Sequence, residues 1–253
     1  MVKEESPLVP AIRSEFRKIA TIRSPALLLA AATLIVLAGV SGLVETTRQT
    51  PGLELQASAL AHVGLAAPLS LILGILGTAG EYRYGTITDT FLSFPGRSRV
   101  LGAKLGVYAL AGAAIGISAA AVALGAAAAW WAAKGGTFHL WTASNWRVIG
   151  GGVGANLALA AVGAALGALI RNVVGAIVLA LAWIAAIEGI AAQLIGSGLA
   201  RWLPFTASEA LDQTNISAPG SLLPQWGGGL VLLGYAAVFA AAATLVTLGR
   251  DVT

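Results

Sequence analysis

Long apolar runs separated by short polar stretches organise this chain. The runs recur in blocks of roughly 20 residues, the length a helix needs to cross about 30 Å of hydrocarbon at about 1.5 Å per residue. Six can be marked: 25–44, 58–79, 105–133, 148–170, 173–195 and 230–248. Their apolar positions are continuous rather than alternating, which predicts helices and argues against the strands of a membrane barrel. Ser24 before Pro25 predicts an N-cap followed by proline at the first helical position. Pro68, inside the second run, predicts a kink.

Composition strengthens this reading. The chain is 57% hydrophobic and only 10% charged, with a mean hydropathy of +0.84, more apolar surface than a water-soluble domain of this length could hide. The expected fold class is therefore an all-α integral membrane protein, a single transmembrane domain over 1–253 with six spanning helices. Cysteine is absent, which excludes disulfides and thiolate metal sites. The net charge of +4 fits cytoplasmic loops facing anionic lipid rather than nucleic-acid binding. Charges run through the first twenty-odd residues (Glu4, Glu5, Arg13, Glu15, Arg17, Lys18) with no apolar core, so no cleavable signal peptide is expected.

The basic residues set an orientation. With the N-terminus inside, Lys3, Arg13, Arg17, Lys18, Arg23, Arg83, Arg97, Arg99, Lys104, Arg171 and Arg250 are cytoplasmic, and only Arg48, Lys134, Arg147 and Arg201 are outside. That asymmetry follows the positive-inside rule and puts both termini in the cytosol, in the multi-pass topology of a plasma (inner) membrane protein. Trp130, Trp131, Trp141, Trp146, Trp202 and Trp226 all fall at or beyond outer helix ends, where indoles anchor. Glycines inside the spans, including Gly163 and Gly167 at GxxxG spacing, allow close helix approach, either within the chain or at a dimer seam.

Four segments carry candidate function. In 10–22, Ile12, Phe16, Ile19 and Ala20 recur at helical spacing while Arg13, Glu15, Arg17, Lys18 and Thr21 take other faces. This predicts an interfacial amphipathic helix or a simple basic anchor. In 81–104, Thr86 and Asp89 have capping-box spacing and Pro95-Gly96 stops the chain, predicting a two-turn helix bearing Ile87, Phe91, Leu92 and Phe94. It reads as a docking surface for a soluble partner or as a helix lying in the headgroups. The outer stretch 196–229 carries Pro204, Pro219 and Pro224, and Thr206 and Glu209 at capping-box spacing. Its apolar residues predict a partial return into the outer leaflet. Asn215-Ile216-Ser217 fits a glycosylation acceptor by a short pattern alone. Last, His62 and Glu188 lie within spans, in their outer third. Glu188 reads as a partner of His62, as the lining of an outer vestibule, or as a protonated structural acid bonded to backbone.

Absences matter too. Without a GxxxxGK[ST] loop the chain is not expected to bind ATP, and no HExxH, nucleophile elbow or paired intramembrane acids suggest a metal or catalytic site.

Taken together, the run SEFRKIATIRSP into the first span, the loop GEYRYGTITDTFLSFPGRSRVLGAKL, an outer segment with LPFTA and a terminus LGRDV resemble the permease subunits of type-2 ATP-binding-cassette exporters. The resemblance covers essentially the whole chain. It implies a half-transporter: two permease copies, more readily a homodimer, joined to two cytoplasmic ATPase subunits that hold ATP and Mg, with no cofactor on this chain. It implies that 10–22 is a connecting helix (Ile12, Arg13, Phe16, Arg17, Ile19). Glu81, Tyr82, Arg83, Gly85, Thr86, Ile87, Asp89, Phe91, Leu92 and Phe94 would form the ATPase-coupling segment. It further implies that 196–229 forms short re-entrant helices roofing the pathway, and that a small or amphipathic substrate moves outward between the second and fifth spans of the two copies. A secondary transporter or channel not driven by ATP is the rival reading.

Overall fold

The computed structural model describes residues 8–47, 53–94, 96–214 and 222–248. Lys3, Glu4, Glu5, Arg48, Pro95, the Asn215 acceptor triplet, Pro219 and Arg250 lie outside the described residues. Among the described residues every regular element is helical. The order is α1 (Leu8–Thr21), α2 (Arg23–Thr46), α3 (Leu53–Ala61), a 3₁₀ turn (His62–Ala66), α4 (Ala67–Arg83), α5 (Ile87–Ser93), α6 (Arg97–Ala133) and α7 (Ala143–Ile170). Then come α8 (Val173–Ala182), a π turn (Trp183–Ile187), α9 (Glu188–Ile195), α10 (Ser197–Ala200), α11 (Pro204–Asp212) and α12 (Gln225–Leu248). Six stretches are long and apolar enough to cross a membrane: α2, α3–α4, α6, α7, α8–α9 and α12.

Most spans reach further than their apolar runs. The third begins at Arg97 rather than 105, because RSRVLGAKL continues the helix and places Val100, Ala103 and Lys104 on its buried side. Three caps differ from expectation. α2 starts at Arg23 behind an extended Ile22, with no side-chain bond from Ser24. Thr86 has helical backbone angles and its side chain caps nothing; its carbonyl instead accepts from Thr90 Oγ1. Thr206 sits inside α11, which opens at Pro204 with its cap supplied from elsewhere in the chain.

The second span breaks beside Pro68. Proline offers no N–H, so the carbonyl four residues back loses its helical donor and the preceding turn tightens. Ala67 N–H bonds Gly64 O, three residues back. The Val63 carbonyl then accepts from Asn156 Nδ2 of α7 at 3.3 Å, and that amide also donates to Gly152 O at 2.9 Å. Ser70 Oγ completes the group by donating to Asn156 Oδ1 at 2.6 Å. A fully bonded amide thus stitches the interrupted helix to its neighbour in a region where no water would help.

α7 is the hub, packed against α4, α6, α11 and α12. Against α4 the two backbones touch: a Cβ on Gly74 would lie 2.1 Å from Ala160 O, and one on Gly163 2.0 Å from Leu71 O. Gly163 and Gly167 therefore serve packing within the chain. Thr78 Oγ1 adds a bond to Ala164 O at 2.8 Å. Spans one, five and six lie outside this core and turn Leu27, Leu34, Val174, Val178, Leu233, Val238 and Leu245 outward. An apolar exterior around a glycine-lined interior suits hydrocarbon surroundings.

Gly163→Leu forces two main chains apart and is expected to destabilise the bundle by about 3 kcal/mol, read as a lower thermal midpoint in detergent. Gly150→Leu, where a Cβ meets nothing within 4 Å, should leave the midpoint in place. Equal midpoints for both variants would mean that the α4–α7 backbones are not in contact.

Candidate functional site

Polar residues gather at the two ends of the bundle. At the end carrying α1, two acids and two lysines from three elements alternate in a closed knot. Lys104 Nζ of α6 lies 2.9 Å from Glu15 Oε1 and 2.8 Å from Glu81 Oε1. Lys18 Nζ lies 2.7 Å from Glu15 Oε1 and also bonds Glu81 Oε1. Glu15, Glu81 and Lys104 are buried, while Lys18 is a third exposed. Burial opposes the Lys18 charge, yet the hydrogen bonds and fields of Glu15 and Glu81 outweigh it and raise its pKa above the ordinary lysine value.

Helical spacing explains how α1 reaches the knot. Ala11 and Glu15 lie one turn apart on its buried side, with Lys18 and Ile19 next along, while Ile12 and Phe16 point away and are well exposed. The side of α1 that faces protein thus carries Glu15 beside Ala11, while its exposed side mixes Ile12 and Phe16 with Arg13 and Arg17. Glu81, near the C-terminal end of α4, sits where the helix dipole disfavours an anion, and the two lysines offset that cost.

Beside the knot, the residues expected to form a coupling segment divide. Glu81 and Ile87 face the interior. Phe91 is half-buried under the Arg97 guanidinium, 5.3 Å from its ring centre, and Tyr82 lies under Arg171 at 5.4 Å. Phe94 is half-buried, and Gly85 takes φ +70° at the turn. Arg83, Thr86 and Asp89 are exposed, and Tyr84 and Leu92 are exposed at 74% and 77%. Of the connecting-helix set, Arg13 and Arg17 are exposed with Ile12 and Phe16, and Ile19 is half-buried.

At the opposite end Glu188 supplies the missing cap of α11. Its Oε2 accepts from Phe205 N at 3.1 Å and its Oε1 from Thr206 N at 2.6 Å. Proline at the first helical position has no N–H, so these are the first amides that α11 leaves unbonded. The π turn just before Glu188 inserts one residue and rotates the downstream part of the span by about 100° relative to an uninterrupted helix. His62 instead bonds within its own span, its Nδ1 3.0 Å from Ser58 O and 3.2 Å from Ala59 O. Glu188 thus bonds the backbone of α11, and it also lines a cleft between span five and α12.

His62, Glu209 and Asp212 line a cavity of about 400 Å³ with Ser208 and Thr214. Asp212 Oδ1 accepts from Thr214 N and Oγ1 at 3.0 and 2.6 Å. Its Oδ2 abuts Gly64 so closely that a Cβ there would lie 1.8 Å away. Burial, with Glu209 adding repulsion, pushes the Asp212 carboxyl up to about 7 against the Thr214 bonds that favour its ionised form. Among the described residues no group of three or more His, Asp or Glu could hold a metal ion.

Sequence reasoning weighed Glu15 and Lys104 only as charges. The signal that could have found them is register: each occupies a position whose helical neighbours, Ala11 and Ile19 or Val100 and Tyr108, are apolar.

Lys104→Met leaves two buried carboxylates sharing Lys18 alone and is expected to cost about 3–5 kcal/mol. Thermal unfolding and protease cleavage of α1 would report it, and Glu81→Gln added to Lys104→Met should recover most of the loss. The folded Asp212 keeps its proton to about pH 7, whereas the unfolded group loses it near 3.8. Its contribution to stability is therefore greatest below pH 4 and fades as pH rises toward 7. Thermal midpoints of the wild type across that window should fall relative to Asp212→Asn, and parallel curves would contradict the assignment.

No protein-family model matches the chain, and no curated protein matches it.

Proposed function

We propose that this chain is the transmembrane permease subunit of an ATP-driven exporter. In this reading it works as a dimer with two separate ATPase subunits that supply ATP and Mg chemistry. The observation that carries the reading is the ionic knot. It joins the amphipathic helix α1 to the ends of spans two and three, between which lies a short helix presenting exposed Leu92, with exposed Tyr84 in the turn before it. Large apolar groups exposed beside Arg83 and Asp89 are what a soluble partner grips.

Orientation follows from charge. Arg13, Arg17, Lys18, Arg23, Arg83, Arg97, Arg99, Lys104 and Arg171 share the α1 end, whereas Lys134, Arg147 and Arg201 belong to the other, a bias that supports a cytosolic α1 end in the proposed plasma (inner) membrane. α10 and α11 then form the outer, re-entrant roof, with exposed Leu199 and Trp202 turned to lipid and the α11 amides satisfied by Glu188. Closure of the ATPases would push α5. Buried charges at 2.7–2.9 Å leave little slack, so α1, α4 and α6 would move with it. The 3₁₀ break at His62–Ala66 gives span two a place to bend. The free energy comes from the partner, and the cargo expected is small or amphipathic.

Leu92→Glu combined with Tyr84→Ser, both at well-exposed positions, should abolish co-purification with the ATPase and transport-linked ATP hydrolysis while leaving the stability of the permease within about 0.5 kcal/mol, as for surface changes. Normal pull-down and normal hydrolysis would refute the reading, as would solute transport by the purified chain without any ATPase.

A further inference from the structure

Span five packs on α4 and α7 and leaves a gap toward α12. The gap is a cleft of about 420 Å³, within the size range of small-molecule pockets. Its walls are apolar, with Leu71, Leu166, Ala180, Ile184, Phe205 and Phe239 facing it. Only three of its lining side chains are polar. Glu188 has both oxygens committed to the amides of α11. Tyr235 Oη donates to Trp202 O at 3.3 Å. The third, Trp183, opens the π turn, and its Nε1 is buried with no hydrogen-bond acceptor among the described residues. A π turn in a spanning helix breaks its regular ladder, and such turns often mark ligand contacts.

We propose that this cleft is a binding site for an uncharged lipophilic molecule bearing a carbonyl or ether oxygen, which enters from the membrane and accepts a hydrogen bond from Trp183. Three features select this chemistry. The apolar walls reject ions. The one uncommitted polar group is a donor, so it calls for an acceptor. Trp183 lies ten residues along a span that starts at Val173, about 15 Å from its end, which is too deep for the headgroup of an ordinary phospholipid. The inference stands apart from the transport reading, since binding needs no ATPase.

Photolabelling tests it. The full chain, purified in detergent, is irradiated with 4-butylbenzophenone, an apolar ketone that cross-links to its neighbours, and the labelled peptides are mapped. Saturable labelling within 179–188 is expected. The matching hydrocarbon, 4-butyldiphenylmethane, should compete about three- to tenfold less well than the ketone, the value of one hydrogen bond. Ala180→Leu should narrow the cleft and weaken labelling about tenfold, with Ile184→Phe as a second blocking variant should the first fold poorly. Trp183→Phe should erase the difference between ketone and hydrocarbon. Non-saturable labelling spread equally over lipid-facing Leu27 and Leu34 would overturn the proposal, since it would mean general lipid contact or a face covered by a second copy. So would an undiminished preference for the ketone in Trp183→Phe.

Discussion

Inside hydrocarbon, a polar group has only the rest of the chain to bond to, and the architecture follows from meeting that demand at each interruption. The break at Pro68 frees a carbonyl and Asn156 takes it. The first amides of α11 lack helical partners and Glu188 takes two of them. At the end of α2, Lys134 donates to Val44 O and, at 3.1 Å, to Thr47 O, so its charge closes a neighbouring helix. These three pairings link the second span to the fourth, the fifth to α11 and the end of the first to the end of the third.

Around them the bundle has two textures. The α4–α7 pair is packed backbone to backbone through glycine and carries Thr78 and Asn156 as internal bonds, which leaves little freedom to slide. Spans one, five and six are held mainly along one side, and span five is interrupted at its middle by the π turn.

The number and order of the spans were legible because apolar run length is a direct readout of membrane thickness, and the short helix at 87–93 because Thr, Asp and a following proline delimit it. Helix starts were not. Ser24, Thr86 and Thr206 all carry residue types that favour caps, yet none caps its helix: Ile22 is the extended residue before α2, Thr86 is itself helical, and at α11 the Glu188 carboxylate accepts from the free amides. Glu188 stood out in the sequence as a charge in an apolar run, but its partners are 17 and 18 residues away in a segment whose fold no local pattern announces. The knot was hidden for the same reason. Lys18 and Glu81 are 63 residues apart, and Glu15 and Lys104 are 89.

The alternation of sign in that knot has a mechanical meaning. Each ammonium touches both carboxylates, so withdrawing α4 or α6 would strand a like-charged pair in a poorly hydrated space, where such pairs are costly, whereas α1 brings one charge of each sign and leaves Glu81 and Lys104 paired. The N-terminal helix is thereby pinned to two spans at once, its Lys18 reaching Glu81 of one and its Glu15 reaching Lys104 of the other.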